Sequence, residues 1–201
     1  MPFVAIAAAA LVSRAASDDF EWLYGIRVFA AAAALWFFRR SYRAPDWRVG
    51  PAALGIGAGA FVIWIVLDRF GGAIPAAAPV VFGHASQGIQ RIWIGLRLTG
   101  AVVTVPVAEE LAFRGFLLRR LVSSDFESVD VRRLSWAPLL ISSLAFGILH
   151  GERWVSGTIA GILYAMAMTR RGRISDAIAA HACTNALLAA WVLATGNWQF
   201  W

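Results

Sequence analysis

The chain has no lysine, a single cysteine and only 15% charged residues. Each shortage excludes something. One cysteine, Cys183, cannot build an internal disulfide framework, and its place in an apolar stretch reads as a small packing residue rather than a nucleophile. Soluble domains carry about 25% charged residues, so the low charge argues against a surface made for water. With 60% hydrophobic residues and a mean hydropathy of +0.66, the bilayer is the natural solvent. The net charge of +6 does not indicate nucleic acid. Every basic residue is arginine, and most stand in short clusters between apolar runs, where they report membrane orientation. The N-terminal Met-Pro-Phe-Val-Ala-Ile-Ala lacks the basic start of a secretory signal and reads as a first membrane helix.

Seven apolar segments can be drawn, at about 2–16, 22–38, 50–70, 93–118, 136–150, 154–169 and 174–195. Backbone amides in lipid must be satisfied internally, and no alternating strand pattern is present, so the segments are helices. The expectation is an all-α, polytopic transmembrane helix bundle of about seven helices (six to eight), with residues 1–201 as one domain. Loop charge tests this drawing. Arg39, Arg40, Arg43 and Arg48 follow the second helix, Arg119, Arg120, Arg132 and Arg133 the fourth, and Arg170, Arg171 and Arg173 the sixth. The first loop is acidic, with Asp18, Asp19 and Glu21. Alternate loops are basic, which predicts an odd number of spans with the N-terminus in the cytoplasm.

Trp22, Trp47, Trp93, Trp136, Trp154 and Trp198 fall near predicted helix ends, where indoles favour the headgroup layer. Gly157 and Gly161 have the GxxxG spacing that lets two helices approach closely. Gly71-Gly72 through Pro79 is the best loop signal, and the stretch after it, up to Arg97, suits the membrane surface.

Ionisable residues inside membrane helices cost several kcal/mol each, so each needs a partner or a function. Glu110 and Arg114 stand at i,i+4 with the acid first, the favourable order for a helical ion pair. Glu109 points about 100° away and has no partner in its own segment, as suits a general base or acid. His150 closes the run Phe146-Gly147-Ile148-Leu149-His150, and His181 shares a face with Asn185 at i,i+4. A lone histidine at a helix end usually packs, an asparagine in a membrane helix usually bonds a neighbouring helix, and interfacial glutamates need no chemistry. Arg27, one turn into the second helix, is expected to snorkel.

At 1.5 Å per residue, Glu109 lies ~15 Å, His181 ~11 Å and His150 ~21 Å from the cytoplasmic ends of their helices, so one cluster is geometrically reachable. Its chemistry is hydrolysis. A carboxylate and an imidazole can deprotonate a water, and a second imidazole with an amide can donate hydrogen bonds to an oxyanion. No nucleophile elbow and no HExxH motif is present. A divalent metal such as zinc stays open, with Glu109, His150 and His181 as its ligands.

EExxxR at Glu109–Arg114, FxxxH at Phe146–His150 and HxxxN at His181–Asn185, in that order, resemble the motifs of the CAAX-protease and bacteriocin-processing (CPBP, or ABI) family of intramembrane proteases. The resemblance covers about residues 90–195. It implies an endopeptidase in the bacterial inner membrane that cuts a membrane-anchored protein or peptide. Glu109 and His150 would activate the water, His181 and Asn185 would stabilise the oxyanion, and Glu110 and Arg114 would hold the site or grip the substrate. The family has been described both as metal-dependent and as a metal-independent glutamate protease. The segments LYGIRVFAAAAALWFFRR, VPVAEELAFRGFLLRRL, SSLAFGILHGERW and TGNWQFW are also similar to the exosortase-associated branch, whose relatives occur beside exosortase E in VPEID-CTERM sorting systems. That likeness implies an exosortase system as a partner, and in a bacterium no prenylated substrate. Two other readings compete. A scaffold or immunity-type binding protein on the same fold would use the polar residues for packing. A small transporter would use them as a proton relay, but inverted repeats and paired broken helices are missing.

Overall fold

The computed structural model describes residues 2–17, 20–40, 47–71 and 74–201. Asp18, Asp19, Arg43 and Gly72, used above, lie outside the described residues. The described residues contain helices and no strand. Among the described residues seven long helices follow the seven apolar runs: α1 Pro2–Ala15, α2 Tyr24–Phe37, α3 Pro51–Phe70, α4 over 87–120, α5 Trp136–Ile148, α6 Trp154–Arg171 and α7 Ile174–Thr195. Of these, α3 and α7 are long and apolar enough to cross a membrane, and α1, α2 and α5 are shorter apolar helices.

α4 is continuous through Pro106 but is wound as π-helix at Gly100–Thr104 and Leu111–Leu117. Proline removes one amide donor and crowds the carbonyl four residues back, here Val102, so a wider turn just before Pro106 relieves both problems.

Many large apolar side chains lie on the outside, and several polar ones lie inside. Phe29, Phe37, Phe70, Ile141 and Leu193 are exposed, whereas Ser142, Ser143, Thr184, Glu110, Arg114 and His181 are buried. Lipid tails solvate apolar side chains as well as a protein core does, so helix contact falls to small and polar residues.

The chain divides into two compact units. The first comprises residues 1–43, 74–108 and 186–201. In it Ile6, Ala31 and Ala108 form a small-residue core, and Tyr24, Phe82 and Trp93 form an aromatic one with Phe20, Trp198 and Trp201 against it. One expectation is corrected here. Trp93 lies inside its helix, not at an end, and is buried, with its indole N–H donating to the Glu21 carbonyl (2.9 Å). Trp198 stacks on it (5.9 Å, 20°), so both indoles serve a packed cluster. Arg27 reaches back past the start of α2. It pairs with Glu21 at 2.5 Å, and Glu21 also accepts a short hydrogen bond from Ser13.

The second unit comprises residues 44–73 and 109–185. α5 and α6 pack through glycine. A Cβ at Gly161 would lie 3.1 Å from Ser143 Cα, and one at Gly157 would lie 3.0 Å from Gly147 Cα, so the GxxxG spacing does what its sequence suggests. α3 lies against α7 in the same manner. Gly57 leaves room for Ala180 and Cys183, and the Thr184 hydroxyl donates to the Gly57 carbonyl (2.8 Å). At the start of α3 the Gly50 amide donates to Asp176 Oδ1 (2.8 Å), which fixes the entry of α3 to the first turn of α7. α6 ends on Gly172 in the left-handed region (φ 71°), where a Cβ would also meet Arg132 Nε at 2.9 Å.

Candidate active site

All six candidate residues lie in the second unit. Glu110 and Arg114 are one turn apart on α4 and fully buried, with Arg114 Nη1 donating to Glu110 Oε1 at 3.0 Å. Arg114 Nη2 donates to the Gly161 carbonyl of α6 at 2.8 Å. A Cβ at Gly161 would lie 3.1 Å from that nitrogen, so the glycine opens the path for the guanidinium. The cation also lies 4.4 Å from the centre of the Phe146 ring. A buried ion pair gains from further partners, and the backbone carbonyl and the ring supply them to Arg114.

His181 of α7 completes the arrangement. Its Nδ1 lies 2.9 Å from Glu110 Oε1, and the carboxylate can only accept, so Nδ1 carries the proton in this bond. Its Nε2 is thereby turned to Glu109 Oε2, 3.9 Å away. The Tyr164 ring stacks on the imidazole (4.7 Å, 15°), and Phe146 meets it edge-on (5.6 Å, 88°). Glu110 thus fixes both the tautomer and the direction of His181. Glu109, 16% exposed, is the more accessible of the two carboxylates.

His150 is placed differently from the drawing of α5. The helix stops at Ile148, and His150 precedes a single 3-10 turn, Gly151–Arg153, that opens on Gly151 with φ 58°. Its Nδ1 lies 3.0 Å from the Phe146 carbonyl. Its ring is 4.8 Å from the Phe146 ring, which therefore touches both imidazoles, and 5.3 Å from Trp64 of α3. Asn185 stands one turn beyond His181 on α7 and is half-buried.

The closest grouping is therefore Glu109, Glu110, Arg114 and His181, with His150 joined to it through Phe146. Among the described residues no three histidine, cysteine or acidic side chains gather as a metal-ligand set, Glu109, His150 and His181 included. One nitrogen of His181 is already committed to Glu110, and His150 Nδ1 is turned to its own helix.

Several participants escaped the reading of the sequence. Tyr164 is the one tyrosine of α6 and stands among apolar and small residues, a signal in itself. Asp68 is an acid near the end of the apolar run 50–70 and meets the intramembrane-charge criterion that singled out Glu109. Ser142, whose hydroxyl donates to the Phe113 carbonyl of the π-wound turn (3.0 Å), gives no such signal.

Residues 91–187, nearly half of the chain, match the model of a protein family described as Type II CAAX prenyl endopeptidase Rce1-like. No curated protein and no solved structure matches.

Proposed function

We propose that this chain is a membrane-embedded protease that hydrolyses a peptide bond in a membrane-anchored protein or peptide with Glu109 as the base, a reading supported by the match of residues 91–187 to the family model of Rce1-like type II CAAX prenyl endopeptidases. The observation that carries this reading is the fixed facing of Glu109 Oε2 and His181 Nε2 at 3.9 Å. Glu110 and Arg114 cancel each other's charge, and the scheme requires Glu109 as the free carboxylate with His181 carrying a proton on Nε2 as well as on Nδ1, so that the four groups together are neutral. That is the form a low-dielectric site tolerates best.

In the reaction a water adds to the scissile carbonyl while Glu109 takes its proton, and His150 orients the same water. The new oxyanion accepts hydrogen bonds from His181 and from the Asn185 amide. When the tetrahedral carbon collapses, the proton on Glu109 passes to the departing amine and the C–N bond breaks. Glu110 and Arg114 touch neither water nor substrate in this scheme and keep His181 aimed. The natural target on this reading is the sorting tail of an exported protein anchored in a bacterial inner membrane, handled beside an exosortase, and the N-terminus is cytoplasmic.

The test is cleavage of a library of membrane-anchored peptides by the purified chain in liposomes, with and without a chelator. Cleavage that persists in chelator and is lost in His150→Ala is expected. Chelator-sensitive cleavage would mean that Glu109, His150 and His181 close on a metal in the working enzyme. A folded protein that cuts no peptide would favour the binding-protein reading.

A further inference from the structure

We propose that Asp68 of α3 and Arg153 are positioning residues for the reaction, holding His150 in place by pinning the turn on which it stands. The proposal rests on the role given to His150 above. His150 lies beyond the last residue of α5, so the helix does not fix it as α7 fixes His181. Side chains set loosely on a turn lose rate steeply, because an error of about 1 Å costs on the order of a hundredfold.

Contacts from three directions remove that freedom. The Phe146 carbonyl bonds Nδ1 from below, at 3.0 Å. Gly157 of α6 gives the ring its seat, since a Cβ there would lie 2.9 Å from the same nitrogen. Trp64 of α3 meets the imidazole edge-on at 5.3 Å and 71°.

The ion pair adds the last constraint. The Arg153 amide donates to the His150 carbonyl (3.1 Å), so the two ends of the turn are tied together. Arg153 Nε then donates to Asp68 Oδ1 at 2.8 Å. Trp64 and Asp68 stand at i,i+4 and share one face of α3. A single helix face therefore supplies both the ring against His150 and the carboxylate that anchors its turn.

Stability alone does not account for this carboxylate. Asp68 is only 5% exposed within an apolar helix of the kind that crosses membranes. Burying the Asp68 carboxylate is no cheaper than packing an apolar side chain there, which would join α3 to the turn as firmly. A carboxylate and a guanidinium offer direction, which apolar contacts lack.

The experiment is steady-state cleavage by full-length Asp68→Asn, Asp68→Glu, Arg153→Lys and His150→Ala in liposomes, each checked for wild-type melting. Asp68→Asn is expected to lower kcat about tenfold with KM changed less than about twofold. Arg153→Lys, which keeps charge but not the fork, is expected to fall between it and wild type, and Asp68→Glu to recover most of kcat. If Asp68→Asn does not fold, the ranking of Arg153→Lys below Asp68→Glu carries the test. Wild-type kcat in folded Asp68→Asn and Arg153→Lys, with His150→Ala inactive, overturns the proposal and leaves the role of His150 standing. Full activity in His150→Ala overturns that role itself.

Discussion

Arg114→Met is expected to cost about 3–5 kcal/mol of folding stability, seen as a large drop in melting temperature in detergent. The side chain is fully buried, binds Glu110 Oε1 and the Gly161 carbonyl, and lies over Phe146. Its loss leaves the fully buried Glu110 carboxylate without its countercharge. Lysine is no substitute, because one ammonium cannot reproduce the planar fork that serves α4 and α6 together. A melting temperature unchanged in Arg114→Met would mean that the Arg114 guanidinium is not what joins α4 to α6.

His181→Ala behaves in the opposite way. The fold keeps the Glu110–Arg114 pair and loses only an imidazole between Tyr164 and Phe146, so stability falls modestly. Cleavage is expected to fall by about 10²–10³ in kcat, the usual cost of removing one oxyanion donor. A stopped time course with a membrane-anchored peptide measures it. Folded His181→Ala cleaving at the wild-type rate would remove His181 from the chemistry.

The two substitutions separate what the sequence reveals from what it conceals. Apolar runs and arginine clusters lay out seven helices to within a few residues at most ends, because lipid admits so few backbone solutions. The Glu110–Arg114 pair is legible because its i,i+4 spacing is local. His181 can be singled out as a polar residue in an apolar helix. Its bond to Glu110, however, joins residues 71 positions apart and depends on how helices rotate, which no local pattern encodes. The start of α4 is missed by six residues, since Gln87–Thr99 is too polar for the hydropathy that drew the segment at 93. His150 is drawn inside α5 because leucine and isoleucine continue the apolar run to it. The left-handed Gly151 that marks the break needs the structure to be seen. Arg27 and Asp68 show the same limit, since a charge in an apolar run announces that a partner exists without saying which.

The account turns on Glu109, which faces His181 across 3.9 Å and is the more accessible carboxylate of its pair. The most direct measurement is single-turnover cleavage, by Glu109→Gln in liposomes, of a membrane-anchored peptide that the wild type cuts, with melting recorded on the same preparation. A loss of about 10²–10⁴ in rate at unchanged melting temperature is the predicted result, the usual worth of a general base. Wild-type cleavage by folded Glu109→Gln would contradict the account, since no carboxylate would then be acting on the water at this position.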